Sequence, residues 1–302
     1  VQTDLKAESL SKEDLQRLRI NIYKRIPVGQ THHQEKQNNK YLQVKNTDPI
    51  IKDQLESADY QIGSLGGGNH FIEIQKDQEN TIWIMIHSGS RNLGKRVCDY
   101  YHDIAKKYMA RFHSNIPDMD LAFLPTEVPE YNMYLKAMRF CMGFAEVSRK
   151  SMFEQVYEVF LSCKFSFKII QQFDTHHNFA QMENHFGENL LIHRKGAVKA
   201  EGLITIPGSM GTASYICEGL SPKESFNTCS HGAGRVMGRK EANRQINHEQ
   251  AVKAMEGIVF DIRQGDYDEC PQAYKNIDNI IKLQENLVKP IYRLTPLAVV
   301  KG

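Results

Sequence analysis

The sequence predicts an α+β fold, in which mixed sheets of short strands are flanked by helices. Short apolar runs are mixed with long amphipathic segments, and the two kinds of segment follow no regular strand–helix–strand order. The 302 residues are 41% hydrophobic and 25% charged, which is typical of a globular protein. The length suits one large domain or two ordinary ones.

The first elements are predicted from a strand-like start and a helix-start signal. The chain opens in what reads as a strand, so we expect upstream residues to belong to the natural protein. Ser11 is a good N-cap with acidic residues after it, and a helix is expected from here to about Tyr23. Residues 26–41 predict a long loop, in which His32 and His33 are exposed without a role. A second short helix is expected after this loop.

A hairpin is predicted next. Two apolar runs, 71–74 and 82–86, flank the polar segment 76–80. Glycine-rich motifs lie at their outer ends: GSLGGGNH at 63–70 and HSGSRNLG at 87–94. An antiparallel pair of strands would bring the two motifs together at one edge of a sheet.

A helical segment is predicted at about 95–163. Apolar and basic residues recur at helical spacing over 95–112, and a proline-containing loop covers 115–129. Over 130–163, methionine and aromatic residues form a stripe on one helical face. Such a stripe belongs to the core more often than to a cofactor site.

The rest of the chain predicts more strands than helices. One helix is expected from a capping box formed by Asn247 and Gln250 to a stop at Gly257, and a last helix over 271–289. Short strands are predicted at 165–169, 190–192, 203–206, 215–217, 258–262 and 297–300.

Charge and cysteine usage restrict the partners and the compartment. The net charge is only +2, so any contact with nucleic acid must come from local basic patches. The six cysteines are scattered without a CxxC pair, which argues against a zinc ribbon or a disulfide scaffold. No apolar run approaches the roughly 18 residues of a membrane helix, and no signal peptide is visible. We therefore expect a cytoplasmic protein.

The segment SFNTCSHGAGRVMGRK at 225–240 is the first candidate for chemistry. His231 precedes a glycine turn at 232–234, which is expected to run into a helix carrying Arg235, Arg239 and Lys240. Free backbone N–H groups at such a helix start, together with basic residues, would favour an anion. A histidine that merely caps a helix over a glycine turn is the alternative.

Five motifs place histidine, asparagine, serine or arginine in glycine- or asparagine-rich turns beside apolar runs. They are 68–70, 87–91, 176–178, 207–211 and 230–234. Several histidines so placed suggest a metal site, although each one alone is more often structural.

The glycine and serine turns could offer N–H groups to phosphate, and Arg91 could bind it in a bidentate manner. The triplet His193-Arg194-Lys195 suits a backbone phosphate of RNA or DNA, or is a solvated strand end. The residues together favour a metal-dependent phosphoryl-transfer enzyme.

Read together, the motifs resemble the RtcB family of RNA ligases. GSLGGGNHFIEI, IHSGSRNLG, HHNFA, HRKGAV, IPGSMGTASYI, SHGAGRVM, PQAYKNID and the terminal VKG occur in the family's order over nearly the whole chain. The resemblance implies an RtcB-like fold and a single catalytic domain over 1–302. It also implies an enzyme that uses GTP and two Mn²⁺ ions per site. Such an enzyme joins RNA ends bearing a 3′-phosphate or a 2′,3′-cyclic phosphate to 5′-hydroxyl ends, as in tRNA splicing or RNA repair.

The resemblance assigns roles to residues by motif. His231 would be the nucleophile that becomes guanylylated, and His70, His87 and His177 would be manganese ligands. Arg91, Arg194 and Lys195 would hold phosphate or RNA. The residues expected to contact the guanylate are Asn69, Glu73, Asn178, Pro207, Gly208, Ser209, Met210, Ser214, Gly232, Ala233, Gly234 and Lys301. Lys301 could serve guanine only if the end of the chain folds back into the site, and it is otherwise a solvated tail.

One family motif has no match. The family's metal site also uses an aspartate and a cysteine from a DxxCGM-like motif, and none of the six cysteines lies in such a context. The sequence is therefore expected to be a fragment that starts after this motif, or a member that lost it, and to bind manganese weakly. A non-catalytic RNA-binding derivative and a metal-dependent RNA end-processing phosphodiesterase remain alternatives.

Overall fold

The computed structural model describes residues 1–43, 48–112, 115–261 and 267–301. Its strands, in chain order, are β1 (Gln2–Lys6), β2 (Phe71–Lys76), β3 (Thr81–His87), β4 (Ile169–Gln171), β5 (Asn178–His185), β6 (Glu188–Lys195), β7 (Ala197–Lys199), β8 (Glu201–Ile206), β9 (Ser214–Leu220), β10 (Thr228–Ser230) and β11 (Val288–Lys301). Its helices are α1 (Lys12–Arg25), α2 (Pro49–Gln61), α3 (Arg91–Arg111), α4 (Pro129–Ser162), α5 (Arg239–Gln245), α6 (His248–Ala254) and α7 (Ile277–Leu283). The predicted α+β class is confirmed.

Three antiparallel sheets organise the described residues. The largest has seven strands in the order β4-β1-β3-β2-β11-β9-β8, while β5 pairs with β6 and β7 pairs with β10. Helices α1 and α4 cover one face of the large sheet, where Leu18, Ile72 and Val156 are among the fully buried side chains. A second core lies between α2, α3 and α4.

The helical segment predicted at 95–163 corresponds to α3 and α4. The methionine and aromatic stripe of α4 is core, as expected, because Phe144, Met152 and Phe160 are fully buried. The helix start at Ser11 is confirmed by a capping box with Asp14. The second predicted capping box is also present at the start of α6.

The predicted hairpin is confirmed as β2 and β3. Phe71 pairs with His87, so the two glycine-rich motifs at the outer strand ends meet at one edge of the sheet. Asp77 fixes the turn between the strands. Its carboxylate accepts hydrogen bonds from the backbone N–H groups of Glu79 and Thr81 and from the indole N–H of Trp83.

The helix predicted to follow the glycine turn at 232–234 is misplaced. Gly234 takes a left-handed φ of +71°, and the residues up to Gly238 are not helical, so α5 begins only at Arg239. Arg235 instead forms an isolated bridge with Tyr274. The proposed helix N-terminus beside His231 therefore does not exist.

Three other element predictions were wrong in extent. In the run at 258–262, Val259 makes an isolated bridge to Ala298, and residue 262 lies outside the described residues. The last predicted helix is reduced to α7, because its end belongs to β11. Of the run at 165–169, only Ile169 is in a strand, and Phe167 packs against Phe160 of α4.

No helix in the described ranges has the length and the apolar character needed to cross a membrane.

Candidate active site

Four imidazole rings lie in a row at the edge of the large sheet. The ring centroids of His70 and His87 are 6.0 Å apart, those of His87 and His177 are 5.3 Å apart, and those of His177 and His231 are 4.9 Å apart. The last two rings are stacked, with 13° between their planes. Residues that are widely separated in sequence thus converge on one site.

Local structure explains part of this convergence. His70 directly precedes β2 and His87 ends β3, so the pairing of Phe71 with His87 sets their separation. His231 follows β10, which pairs with β7, and its Nδ1 lies 2.6 Å from the carbonyl oxygen of Gly196. His177 precedes β5, and its carbonyl accepts a hydrogen bond from the N–H of Ala197.

The surroundings hold these imidazoles in the neutral form. Burial, and then the charge of Arg91, lower the pKa of His70 to about 4. Burial, and then His231, lower the pKa of His177 to about 4. Burial also lowers the pKa of His87 well below its ordinary value and that of His231 to a lesser degree. A neutral imidazole keeps a lone pair for a metal ion or for nucleophilic attack.

A metal ion fits this donor set. The Nδ1 atom of His70 is buried without a hydrogen-bond partner, a costly state unless the atom has a ligand to bind. A group with Glu146, Asp174 and His176 lies near His177, and its possible ligand atoms are within 4.8 Å of one another. Both carboxylate oxygens of Asp174 are already paired with Arg149, which makes this group a weaker candidate.

A cavity of about 970 Å³ opens beside His87, His177 and His231. Its size is within the range of small-molecule sites. Asn178 and Pro207, both predicted to contact guanylate, line it.

A second set of predicted guanylate contacts lies along β2, β9 and β11. Glu73 is buried, accepts a hydrogen bond from Gln75, and has its pKa raised to about 8 by burial. The same Gln75 amide also donates to the hydroxyl of Ser214, which accepts from the N–H of Gly208. Lys301 lies opposite Phe71 in the sheet, with its Nζ atom 4.0 Å from Asp268. Lys301 is therefore part of β11 and not of a solvated tail.

The two glycine-containing loops that carry the other guanylate predictions touch each other. The N–H of Ala233 donates to the carbonyl of Pro207, and a Cβ atom on Gly232 would lie 3.0 Å from that same oxygen. Ser209 is buried and bonds to Thr212 within its own loop. The remaining residues of this set are the exposed Asn69, Met210, which packs on the small core around Ala242, and Gly234 at the left-handed turn.

The three residues predicted to hold phosphate differ in position. Arg91 donates to Ser64 and to the carbonyl of Gly29, so much of its guanidinium supports the 63–68 loop beside His70. Lys195 is exposed at the end of β6. Arg194, in contrast, is buried and paired with both carboxylate oxygens of Glu183. Its guanidinium has no surface to offer a phosphate, and we do not retain it as an RNA contact.

Sequence reasoning missed Arg149 and Asp174. Arg149 lies on the stripe-bearing helix α4 and bonds to both oxygens of Asp174 and to the carbonyl of Ser88. Its charge also contributes a small lowering of the pKa values of His87 and His177. Neither residue stands in a glycine-rich motif, so no sequence signal pointed to them.

The fold and the site define an α+β protein with a histidine-lined pocket suited to a metal ion and an anionic ligand. A family model described as tRNA-splicing ligase RtcB matches residues 34–302. The chain is 40% identical over 259 residues to RNA-splicing ligase RtcB of Escherichia coli (strain K12), covering 82% of this chain and 63% of that protein. It therefore belongs to the RtcB family.

More distant relatives match similar portions. RNA-splicing ligase RtcB of Mycobacterium tuberculosis is 34% identical over 281 residues, covering 80% of this chain and 65% of the relative. tRNA-splicing ligase RtcB of Pyrococcus abyssi is 31% identical over 287 residues, covering 80% of this chain and 31% of that relative. The chain thus spans less than two thirds of the length of these relatives.

Proposed function

We propose that this chain carries the nucleotidyl-transfer centre of a GTP- and Mn²⁺-dependent RNA ligase, as one catalytic domain over 1–302 that acts in the cytoplasm. The observation that supports it most is the row of four imidazoles, with neighbouring centroids 4.9–6.0 Å apart. Three of the rings would hold metal, and the fourth would attack the nucleotide. The names of the relatives support an RNA substrate.

The contact of His231 with Gly196 selects the attacking atom. A carbonyl oxygen can only accept a hydrogen bond, so the Nδ1 atom of His231, 2.6 Å away, carries the proton. The Nε2 atom is then unprotonated and has a free lone pair. Because burial lowers the pKa of His231, the ring stays neutral near pH 7.

The first step transfers guanylate to this nitrogen. The Nε2 lone pair of His231 forms a bond to the α-phosphorus of GTP, and the bond from that phosphorus to the bridging oxygen breaks. Pyrophosphate leaves with the electron pair. The Gly196 carbonyl keeps the ring oriented and accepts a stronger hydrogen bond as positive charge develops on the imidazole.

His70, His87 and His177 are the residues that would hold manganese. Bound there, the ion would neutralise charge on the phosphate as the N–P bond forms. The chain's own contribution is to keep the three half-buried imidazoles neutral, as their lowered pKa values indicate, and close together.

The buried polar groups along β2, β9 and β11 would select the base. Glu73, Ser214 and Lys301 would present a carboxyl, a hydroxyl and an ammonium to guanine, while the loops around Gly208 and Gly232 would approach the sugar and phosphate. A buried polar site rejects a base that leaves its groups unpaired. Adenine would therefore be a poor substitute for guanine.

The later steps would use RNA. The guanylate would pass from His231 to the 3′-phosphate of one RNA end, and the 5′-hydroxyl of the other end would displace it. Exposed Lys195, which lines the cavity, and Arg91, beside His70, are the candidate phosphate contacts.

Incubation with α-labelled GTP and Mn²⁺ tests the proposal. We expect a covalent label that is stable to alkali and labile to acid, as an N–P bond is, and its loss in His231→Ala. A matched control is His102→Ala on α3, which should keep the label. No label with retained RNA affinity would favour the non-catalytic derivative, and release of phosphate from RNA ends without GTP would favour the end-processing enzyme.

A further inference from the structure

Two distances matter for the histidine row: that between His70 and His87, and that between His87 and His177. They are set by different parts of the structure. The first distance follows from backbone pairing between β2 and β3. The second does not, because His87 belongs to the seven-stranded sheet while His177 introduces β5, which forms a separate sheet with β6. A metal ion shared by these two histidines therefore needs another link between the loops that carry them.

The side chain of Arg149 makes such a link. Its Nε and Nη2 atoms donate to the two carboxylate oxygens of Asp174, three residues before His177. Its Nη1 atom donates to the carbonyl oxygen of Ser88, one residue after His87, at 2.7 Å. One guanidinium thus bonds to both ligand-bearing loops.

The setting makes the link rigid. Arg149 comes from the 34-residue helix α4, and its side chain is only 13% exposed, while that of Asp174 is 34% exposed. The planar guanidinium provides a bidentate pair and a third donor in fixed directions, which a lysine ammonium cannot reproduce.

We propose that Arg149 and Asp174 form a clasp that holds the loops of His87 and His177 at the separation required to bind one metal ion. This inference rests on the proposed function, because it takes both histidines as ligands. Arg149 is a positioning residue in this scheme: it acts through the loops and does not touch the ion or the nucleotide.

A first measurement needs no metal. In the metal-free chain, Arg149→Ala should accelerate amide hydrogen exchange roughly tenfold in both loops, around residues 87–90 and 172–177. Asp174→Asn should act in the same direction, and the double variant should add little, since the two residues form one unit. Equal exchange in the variant and the unmodified chain would overturn the clasp.

The matched control is Arg17→Ala. Arg17 also joins a carboxylate, that of Asp14, to a backbone carbonyl, that of Cys163. Its loss removes a similar but more exposed link, made through one nitrogen, away from the site, so exchange in the two loops should stay unchanged. Acceleration there in Arg17→Ala would show a general loss of stability and would also overturn the inference.

The second measurement is Mn²⁺ affinity, read from the electron paramagnetic resonance signal of the free ion. Loss of an outer residue that orients a ligand weakens metal binding by roughly 10- to 100-fold. We expect a loss in this range for Arg149→Ala, a smaller loss for Arg149→Lys, and none for Arg17→Ala. Unchanged affinity in Arg149→Ala would overturn the proposal.

The two measurements separate this inference from the proposed function. If the unmodified chain shows no histidine-dependent Mn²⁺ binding, the metal assignment of the proposed function fails, and with it the clasp's role in metal binding. If the unmodified chain binds Mn²⁺ and forms the guanylate on His231, but Arg149→Ala does both equally well, only the clasp fails.

Discussion

Gly66 has a left-handed φ of +93° and almost no space around its Cα atom. A Cβ atom there would lie 2.0 Å from Nη1 of Arg91 and 2.2 Å from Nδ1 of His70. The missing side chain thus leaves room for a predicted metal ligand and for the arginine that supports its loop. From the sequence alone, Gly66 could not be distinguished from the two glycines that follow it.

Substitution at Gly66 tests whether the site needs this free space beside His70 and Arg91. Gly66→Ala should lower the free energy of unfolding by about 2–4 kcal/mol, from backbone strain plus displacement of the two neighbours, and should weaken Mn²⁺ binding. Gly187→Ala is the matched control, because Gly187 has a similar φ of +87° with nothing within 4 Å of a Cβ atom. Urea denaturation of both variants separates strain from contact. Equal losses would show that the contacts with His70 and Arg91 carry no weight.

The depressed histidine pKa values predict an acid-sensitive fold. His70 and His177 titrate at about 4 in the folded chain, against an ordinary value of 6.5. Between these pH values the unfolded chain binds more protons than the folded chain. The stability that the neutral histidines contribute to the folded state is therefore fully present above pH 6.5 and is lost as the pH falls towards 4.

Unfolding free energies measured in urea from pH 7.5 to 5 should therefore decrease, by at most about 1.4 kcal/mol per pH unit for each histidine. His177→Gln should flatten this slope, since glutamine does not titrate. A slope that is the same in the variant and in the unmodified chain would contradict the assignment of the lowered pKa to His177.

At the scale of elements, the sequence predicted the parts of the site that depend on local pattern. The β2–β3 hairpin has two clear apolar runs, and its pairing brings His70 to His87 as expected. The β5–β6 hairpin has a polar first strand, NFAQMENH, whose alternation is too weak to recognise, and β7 and β10 have three residues each. The position of His177 depends on these elements and could not be predicted. The guanidinium bridge of Arg149 joins a helix to two loops that are distant in sequence, so it could not be predicted either.

Asp77 offers a test of the first hairpin. Asp77→Ala removes three acceptor contacts, including that of the buried Trp83 indole, and should cost about 2–4 kcal/mol of unfolding free energy. Because the turn sets the strand register, Mn²⁺ affinity should fall too. Glu79→Ala in the same turn is the control, since its side chain is exposed. A stable Asp77→Ala chain with normal Mn²⁺ affinity would show that the turn does not control the site.

At the scale of the whole molecule, the family's motifs can be read from the sequence in order, and the large sheet explains part of their convergence, because His70, His87 and Lys301 lie on or beside its strands. The strand order β3-β2-β11-β9-β8 places the ends of sequence-distant strands side by side, so that Lys301, near the end of the chain, lies opposite Phe71. This non-local pairing cannot be derived from local periodicity. Arg194, predicted for RNA, is instead a buried residue of the separate β5–β6 sheet, where it is paired with Glu183.

The proposed RNA binding would depend on the charge of the whole molecule. With a net charge of +2, the chain has no strong overall field, so any affinity for RNA would rest on a few exposed cations near the site. For a single-stranded RNA with a 3′-phosphate, each neutralised phosphate contributes about 0.7 to the slope of log affinity against log salt. Lys195→Ala should therefore reduce this slope by about 0.7 and weaken binding at low salt. Lys289→Ala, an exposed lysine of β11, should leave the slope unchanged. The slopes are measured by fluorescence anisotropy over a salt series. Equal slopes in the unmodified chain, Lys195→Ala and Lys289→Ala would show that Lys195 does not contact the RNA.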